Sequence, residues 1–159
     1  MSDKNQIKIE GSEAAQMRLN DIPDVLRLAT KAQAQFKLFP IGSPSTILRE
    51  ISLVLQKNFR NSVVFRAEDE VVAAFILRAE TSISAELVYS FVSSEDVLTP
   101  EMAEKFKKML TKLGFLVINA KIQTSRRDLD PLLTFLKNVG FDEISNENDA
   151  FVSISVRIA

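Results

Sequence analysis

Tyr89 is the only tyrosine in the chain, and Glu86 stands three residues before it in the same β-rich run. A phenol can deliver a proton and a carboxylate can take one through water, so the two form a candidate acid and base for amine chemistry. Each also has a structural reading: Tyr89 as a core aromatic with its hydroxyl at the edge, Glu86 as an exposed strand-end carboxylate. Other groups could bind rather than react. Arg126-Arg127 could grip an anion or simply be solvated. Lys105, Lys107, Lys108 and Lys112 could meet phosphate or an acidic partner, or form the wet face of an amphipathic helix. The apolar run Leu38-Phe39-Pro40-Ile41 could be a lid or partner surface, or pack as core. The sequence holds no Cys, no His and no Trp. That removes disulfides, thiolate zinc, the cysteine nucleophile, the Ser-His-Asp triad and histidine-held metal or haem. What remains is chemistry by carboxylates, Lys, Arg, Tyr, hydroxyls, backbone amides or a borrowed cofactor.

The elements that must position these groups fit one domain, residues 1–159. The chain has 159 residues, 46% hydrophobic and 26% charged, which suits a globular protein with a single core. Lys plus Arg is 20 against 21 Asp plus Glu. That balance predicts no nucleic-acid partner, since such binders carry a basic excess. No window approaches 18 apolar residues, so no membrane span is expected, and the start lacks an apolar signal region. The expected location is the cytoplasm. Residues 1–12 are polar around Ile7-Lys8-Ile9 and read as a short edge strand or a flexible arm.

Ala14 to Leu19 is a weak strand candidate. A helix is predicted from Asn20-Asp21, with Pro23 in its first turn and Ile22, Val25, Leu26, Ala29 and Phe36 on one stripe. A second helix starts at Ser43-Pro44, with Ile47, Leu48, Ile51, Val54, Leu55 and Phe59 inward. Strands are expected over 62–67, 71–79 and 85–92, the first two forming a hairpin across Glu68-Asp69-Glu70, and the last placing Leu87, Tyr89 and Phe91 on one face. The third helix has the clearest signals. Thr99 is its N-cap, Pro100 its first residue, and Glu101→Lys105 and Glu104→Lys108 are favourable pairs on the wet side. Gly114 is its C′ residue, and Phe115 packs back on Leu110. A strand over 116–123 follows, then a helix opened by Asp130-Pro131 and closed by Gly140, with Phe141 folding back on Leu136. Strand 141–144, a polar turn Asn146-Glu147-Asn148-Asp149, and a strictly alternating strand 152–158 complete the chain. The order is β-α-α-β-β-β-α-β-α-β-β. The β-α-β in its middle should be a parallel crossover. The fold class is α+β: a mixed, mostly antiparallel sheet flanked by helices.

This order resembles the GNAT superfamily of N-acetyltransferases across about residues 14–158. Met17-Arg18-Leu19-Asn20-Asp21-Ile22-Pro23-Asp24-Val25 is similar to the family's opening strand and helix. Thr134-Phe135-Leu136-Lys137-Asn138-Val139-Gly140-Phe141 is similar to its closing helix and Gly-Phe. The resemblance implies acetyl-CoA, whose pyrophosphate in the family sits on amides of a Gly-rich turn at the third helix's N-terminus, a favourable place for phosphate. The matching segment here is Val92-Ser93-Ser94-Glu95-Asp96-Val97-Leu98-Thr99-Pro100-Glu101-Met102. It lacks the motif's Arg or Gln and both glycines. Glu95, Asp96, Glu101 and Glu104 stand where the diphosphate would lie. One carboxylate at ~4 Å costs about 1 kcal/mol in water and roughly 4 near a protein surface, against the 0.3–1 kcal/mol or so a helix dipole offers. The family's catalytic Tyr position is Leu136, and Ser125-Arg126-Arg127-Asp128-Leu129 replaces the Asn expected before that helix.

The reading is a GNAT-like domain with a degenerate acetyl-CoA site, a non-catalytic binding or regulatory module with no cofactor expected. Its partner, protein or small molecule, is not specified by the residues. The alternative is a divergent acetyl-CoA-dependent N-acetyltransferase, in which Phe91, Val92 and Ser93 hold the pantetheine by strand-like contacts and Tyr89 and Glu86 assist proton transfer. A third reading is a homodimer formed through the last strand or the apolar loop.

Overall fold

The computed structural model describes residues 12–30, 44–123, 130–148 and 151–157. Its elements are β1 (Glu13–Gln16), α1 (Ile22–Thr30), α2 (Pro44–Asn58), β2 (Val63–Ala67), β3 (Glu70–Ala79), β4 (Ser84–Val92), α3 (Pro100–Lys112), β5 (Val117–Gln123), α4 (Asp130–Val139), β6 (Asp142–Asn148) and β7 (Phe151–Arg157). The seven strands form one sheet in the order β1-β2-β3-β4-β5-β7-β6. Every ladder is antiparallel except β4 with β5, which α3 joins as a parallel crossover. Among the described residues, no helix is long and apolar enough to cross a membrane.

Several boundaries differ from the sequence reading. β1 ends at Gln16. Leu19–Asp21 forms a 3-10 turn, so the first helix begins at Ile22 rather than at Asn20-Asp21. Asp21 is turned inward. Its carboxylate accepts from the Arg18 N–H at 2.7 Å and pairs with Arg66 on β2, which fixes the start of α1 against the sheet. Asn146, Glu147 and Asn148, read as a turn, belong to β6, whose ladder with β7 persists to Asn148↔Phe151 through two register breaks. On α3 the Glu101–Lys105 pair forms at 3.5 Å, but no Glu104–Lys108 ion pair forms; Lys105 Nζ also donates to the Ser12 carbonyl. Phe36, Ser43, Leu38 to Ile41 and Arg126-Arg127 lie outside the described residues.

Two apolar layers sandwich the sheet. On one face α3 and α4 cover Phe65, Phe75, Leu77, Ala85, Leu87, Val92, Ile118 and Val156. Phe75 stacks on Phe106 of α3 at 4.5 Å and on Phe135 of α4 at 5.7 Å between ring centroids, so one phenyl on β3 ties both helices to the sheet. On the other face α1 and α2 cover Val64, Ala74, Ile76, Tyr89 and Phe91.

Both C-terminal caps form as the sequence predicts. At α3 the Gly114 N–H bonds Thr111 O at 3.0 Å and the Phe115 N–H reaches Leu110 O at 3.4 Å. At α4 the Gly140 N–H bonds Lys137 O and the Phe141 N–H bonds Leu136 O, each at 3.0 Å. Gly114 (φ +89°) faces open space, whereas a Cβ at Gly140 (φ +120°) would lie 3.3 Å from Val156 Cγ2. Both glycines adopt backbone angles that cost an L side chain about 1–3 kcal/mol. Only Gly140 adds a contact that β7 must yield to. Gly140→Ala is therefore expected to lose more stability than Gly114→Ala, by about 1 kcal/mol, in urea unfolding of the two variants. Equal losses would mean that β7 accommodates the methyl group freely.

Candidate functional site

β4 is held by β3 along its whole length but by β5 over only three residues. The parallel register runs Ser84↔Val117, Ala85↔Ile118, Glu86↔Asn119 and then stops. From there β5 follows β7 through Gln123↔Phe151. The sheet thus parts between β4 and β5 beyond Glu86.

At this parting β4 carries a bulge. Ile76 pairs with Tyr89 and Leu77 with Leu87, leaving Val88 as the extra residue. A bulge reverses the faces of everything that follows it. Leu87 faces the α3/α4 layer, whereas Tyr89 and Phe91 face α1 and α2. The sequence reading that placed all three on one face is corrected by this single inserted residue. Strict alternation in the sequence gives no sign of it.

The bulge brings Glu86 and Tyr89 to the same face of the sheet. Glu86 is not the free strand-end carboxylate of its structural reading: it pairs with Arg78 of β3, and Asn119, its neighbour on β5, donates to Glu80 at 3.3 Å. Tyr89 is 8% exposed and lies parallel to Phe91 at 6.2 Å between centroids. Burial pushes its phenol above the ordinary value of 10.0. The Glu50 carboxylate on α2 adds to the rise, and the Arg78 guanidinium opposes it. The phenol therefore stays protonated across the neutral range, as a proton donor must, and Arg78 lies close to both candidate groups. Neither Glu50 nor Arg78 was foreseen from the sequence, where nothing distinguishes them from other surface charges.

Ser90, the next residue, points to the opposite layer beside its β3 partner Phe75. Its Oγ is the one buried side-chain polar atom among the described residues with no hydrogen-bond partner. Leaving such a group unpaired costs about 1–3 kcal/mol. Phe91 and Val92, expected to line a pantetheine path, are fully buried, and the Ser93 N–H bonds Val72 O at 2.9 Å.

The segment from β4 to α3 closes on itself. The Asp96 N–H bonds Ser94 Oγ at 3.2 Å and the Val97 N–H bonds Ser94 O at 3.1 Å. The Thr99 N–H bonds Val97 O at 3.0 Å, and Thr99 Oγ1 accepts from the Met102 N–H at 3.1 Å. Pro100 has no N–H to give. A phosphate seated at this helix start would have to displace these bonds, with the exposed carboxylates of Asp96, Glu101 and Glu104 nearby.

The class of fold can now be stated: this is the fold of the GNAT acetyltransferases. The chain superposes on Ard1 from Thermoplasma volcanium with a TM-score of 0.65 and 13% identity, over 93% of this chain and 98% of that one. The ribosomal-protein-S18-alanine N-acetyltransferase of Escherichia coli gives 0.64 and 14%, over 93% and 94% of the two chains. A GNAT-family acetyltransferase of Bacillus cereus gives 0.63 and 10%, over 92% and 96%. No protein-family profile matches the sequence, and no curated protein matches it by sequence.

Because Tyr89 is the only tyrosine and tryptophan is absent, ultraviolet absorbance titrates this phenol alone. The folded protein is expected to ionise above 10.0, the unfolded chain near it. The folded state then holds its proton longer, so stability is lost as pH rises from the unfolded value toward the folded one. Tyr89→Phe should remove that alkaline slope; a folded phenol titrating at or below 10.0 would contradict the burial argument.

Proposed function

We propose that this chain is a GNAT-fold binding or regulatory module that keeps the parting between β4 and β5 but does not hold acetyl-CoA by its diphosphate. The observation that carries this reading is the self-bonded start of α3. A diphosphate needs several amides directed at one point, together with the positive end of a helix. Here Asp96, Val97, Thr99 and Met102 spend theirs within the segment. Added carboxylates turn the local field against an anion. The diphosphate does not fit these residues.

A second reading, a divergent N-acetyltransferase, is favoured by the polar cluster at the parting and by the activities named for the three neighbours. In it the Arg78-paired Glu86 and the protonated Tyr89 would assist proton transfer, as a base toward an amine and as a proton donor.

Thermal unfolding with acetyl-CoA separates the two. A ligand with a Kd of about 10 μM adds about 2.7 kcal/mol at millimolar concentration, visible as a rise of several degrees. The binding-module reading expects no rise; a saturable one would overturn it. In that event Tyr89→Phe and Glu86→Gln should each slow acetyl transfer to an amine by about 100-fold, the lower range for a lost general acid or base. Unchanged rates would clear both residues of a role in catalysis.

A further inference from the structure

We infer that the outer face of α2 docks an acidic, leucine-bearing segment of a partner protein. This surface is separate from the parting between β4 and β5 and does not depend on how that parting is read. Ile51 and Leu55 turn the inner side of α2 onto the sheet. On the opposite side Arg49, Leu53 and Lys57 follow one another at four-residue steps, all exposed, along about 12 Å of helix. Glu50, the one carboxylate of α2, acts on Tyr89 instead. The helix runs into the Phe59–Asn61 turn, where Arg60 is exposed and its guanidinium lies 5.5 Å from the Phe59 ring centroid. Two bonds carry the patch onto the β1–α1 connection: Gln16 Nε2 donates to Arg60 O at 2.7 Å, and the Met17 N–H to Ser62 O at 2.8 Å. Arg18 and Leu19, both exposed, follow at that same end.

Charge and apolar exposure together define the partner. Arg27, Arg66, Arg78 and Lys105 each have an ion pair, whereas Arg18, Arg49, Lys57 and Arg60 form none among the described residues. Carboxylates supplied from outside would complement them. Leu19 and Leu53 are 62% and 53% exposed, the highest values among the large hydrophobic residues described. An apolar side chain laid against either would remove that surface from water. Single strands of nucleic acid are held on aromatic platforms, and membrane surfaces by aromatic anchors. Phe59, the aromatic residue of this region, packs against the core instead. At the other end of β2 the exposed carboxylates of Glu68 and Asp69 would repel a polyanion spread over the molecule. A short acidic segment confined to α2 avoids them.

Fluorescence anisotropy on the full chain tests this with a labelled peptide of about 15 residues, Glu and Leu at helical spacing. A version with Gln for every Glu, an oligothymidine of similar length and vesicles containing phosphatidylserine are measured beside it. An interface this small is transient, so a Kd of about 10–100 μM is expected for the acidic peptide at low salt. Affinity should fall several-fold when salt shortens the screening length, and the Gln version should not saturate. Leu53→Ser with Lys57→Gln should weaken the acidic peptide about tenfold without moving the melting temperature. Lys108→Gln with Lys112→Gln, on the exposed side of α3, should leave it unchanged. No saturable binding at millimolar peptide would overturn the inference. So would an equal loss from the α3 pair, or tighter binding of the oligothymidine or the vesicles. None of these readouts involves acetyl-CoA, so failure here is distinct from failure of the binding-module reading.

Discussion

β4 is held unequally by its two neighbours, and the molecule is arranged around that inequality. Its antiparallel ladder with β3 is continuous, while its parallel ladder with β5 ends at Glu86↔Asn119. β5 stays paired with β7 along all seven of its residues, so beyond Asn119 it follows β7 and leaves β4. The parting that results would be unstable without cover. The stacked rings of Phe75, Phe106 and Phe135 hold α3 and α4 over one side. On the other side α1 is anchored at its start by Asp21, whose carboxylate joins the Arg18 amide to the Arg66 guanidinium. That pair is largely desolvated, so removing one partner would strand a charge; its role is to fix position more than to add net stability.

How far the sequence discloses this depends on the range of each interaction. Caps are local. Thr99-Pro100, Leu113-Gly114-Phe115 and Val139-Gly140-Phe141 carry their own instructions within a turn of helix, and the structure forms each as read. The element order follows from such punctuation together with period-2 and period-3.6 patterns. What escapes the sequence is register. Val88 is an unremarkable strand residue by type, yet its insertion reverses the faces of Tyr89 and Phe91 relative to Leu87. The polar text of Asn146 to Asn148 reads as a turn because edge strands need no apolar pattern, and β6 is an edge. The environment of Tyr89 was half legible: burial was foreseen, the influence of Glu50 and Arg78 was not, since both arrive from other elements.

The α3 start shows how a fold and a binding property separate. Likeness over nine-tenths of the chain, at 10–14% identity, describes the path of the backbone. Whether a helix N-terminus receives an anion depends on which amides remain undirected and which charges stand near. Both are set by few residues. A threonine cap, a proline without an N–H and a 3-10 turn folded around Ser94 consume donors while leaving the helix axis where the fold requires it. The backbone path of the fold is thus kept with the donors at this helix start bonded within the chain.

The bulge supplies the last step. In an unbroken strand, side chains at adjacent positions always oppose each other, and a strand of this length would send its hydroxyls wherever parity dictates. By inserting Val88 at the level where β5 departs, β4 presents the Tyr89 phenol to the α1/α2 layer and the Ser90 hydroxyl to the α3/α4 layer, one on each side of the parting. Without the insertion parity would turn Tyr89 into the phenylalanine-rich layer, away from Glu86, Arg78 and Glu50, and Ser90 to the α1/α2 layer. The structure instead spends free energy to bury a lone hydroxyl among phenyl rings. The unpartnered hydroxyl costs the fold about 1–3 kcal/mol, and it arises from the same inserted residue that sets Tyr89 on the face of Glu86 and Arg78.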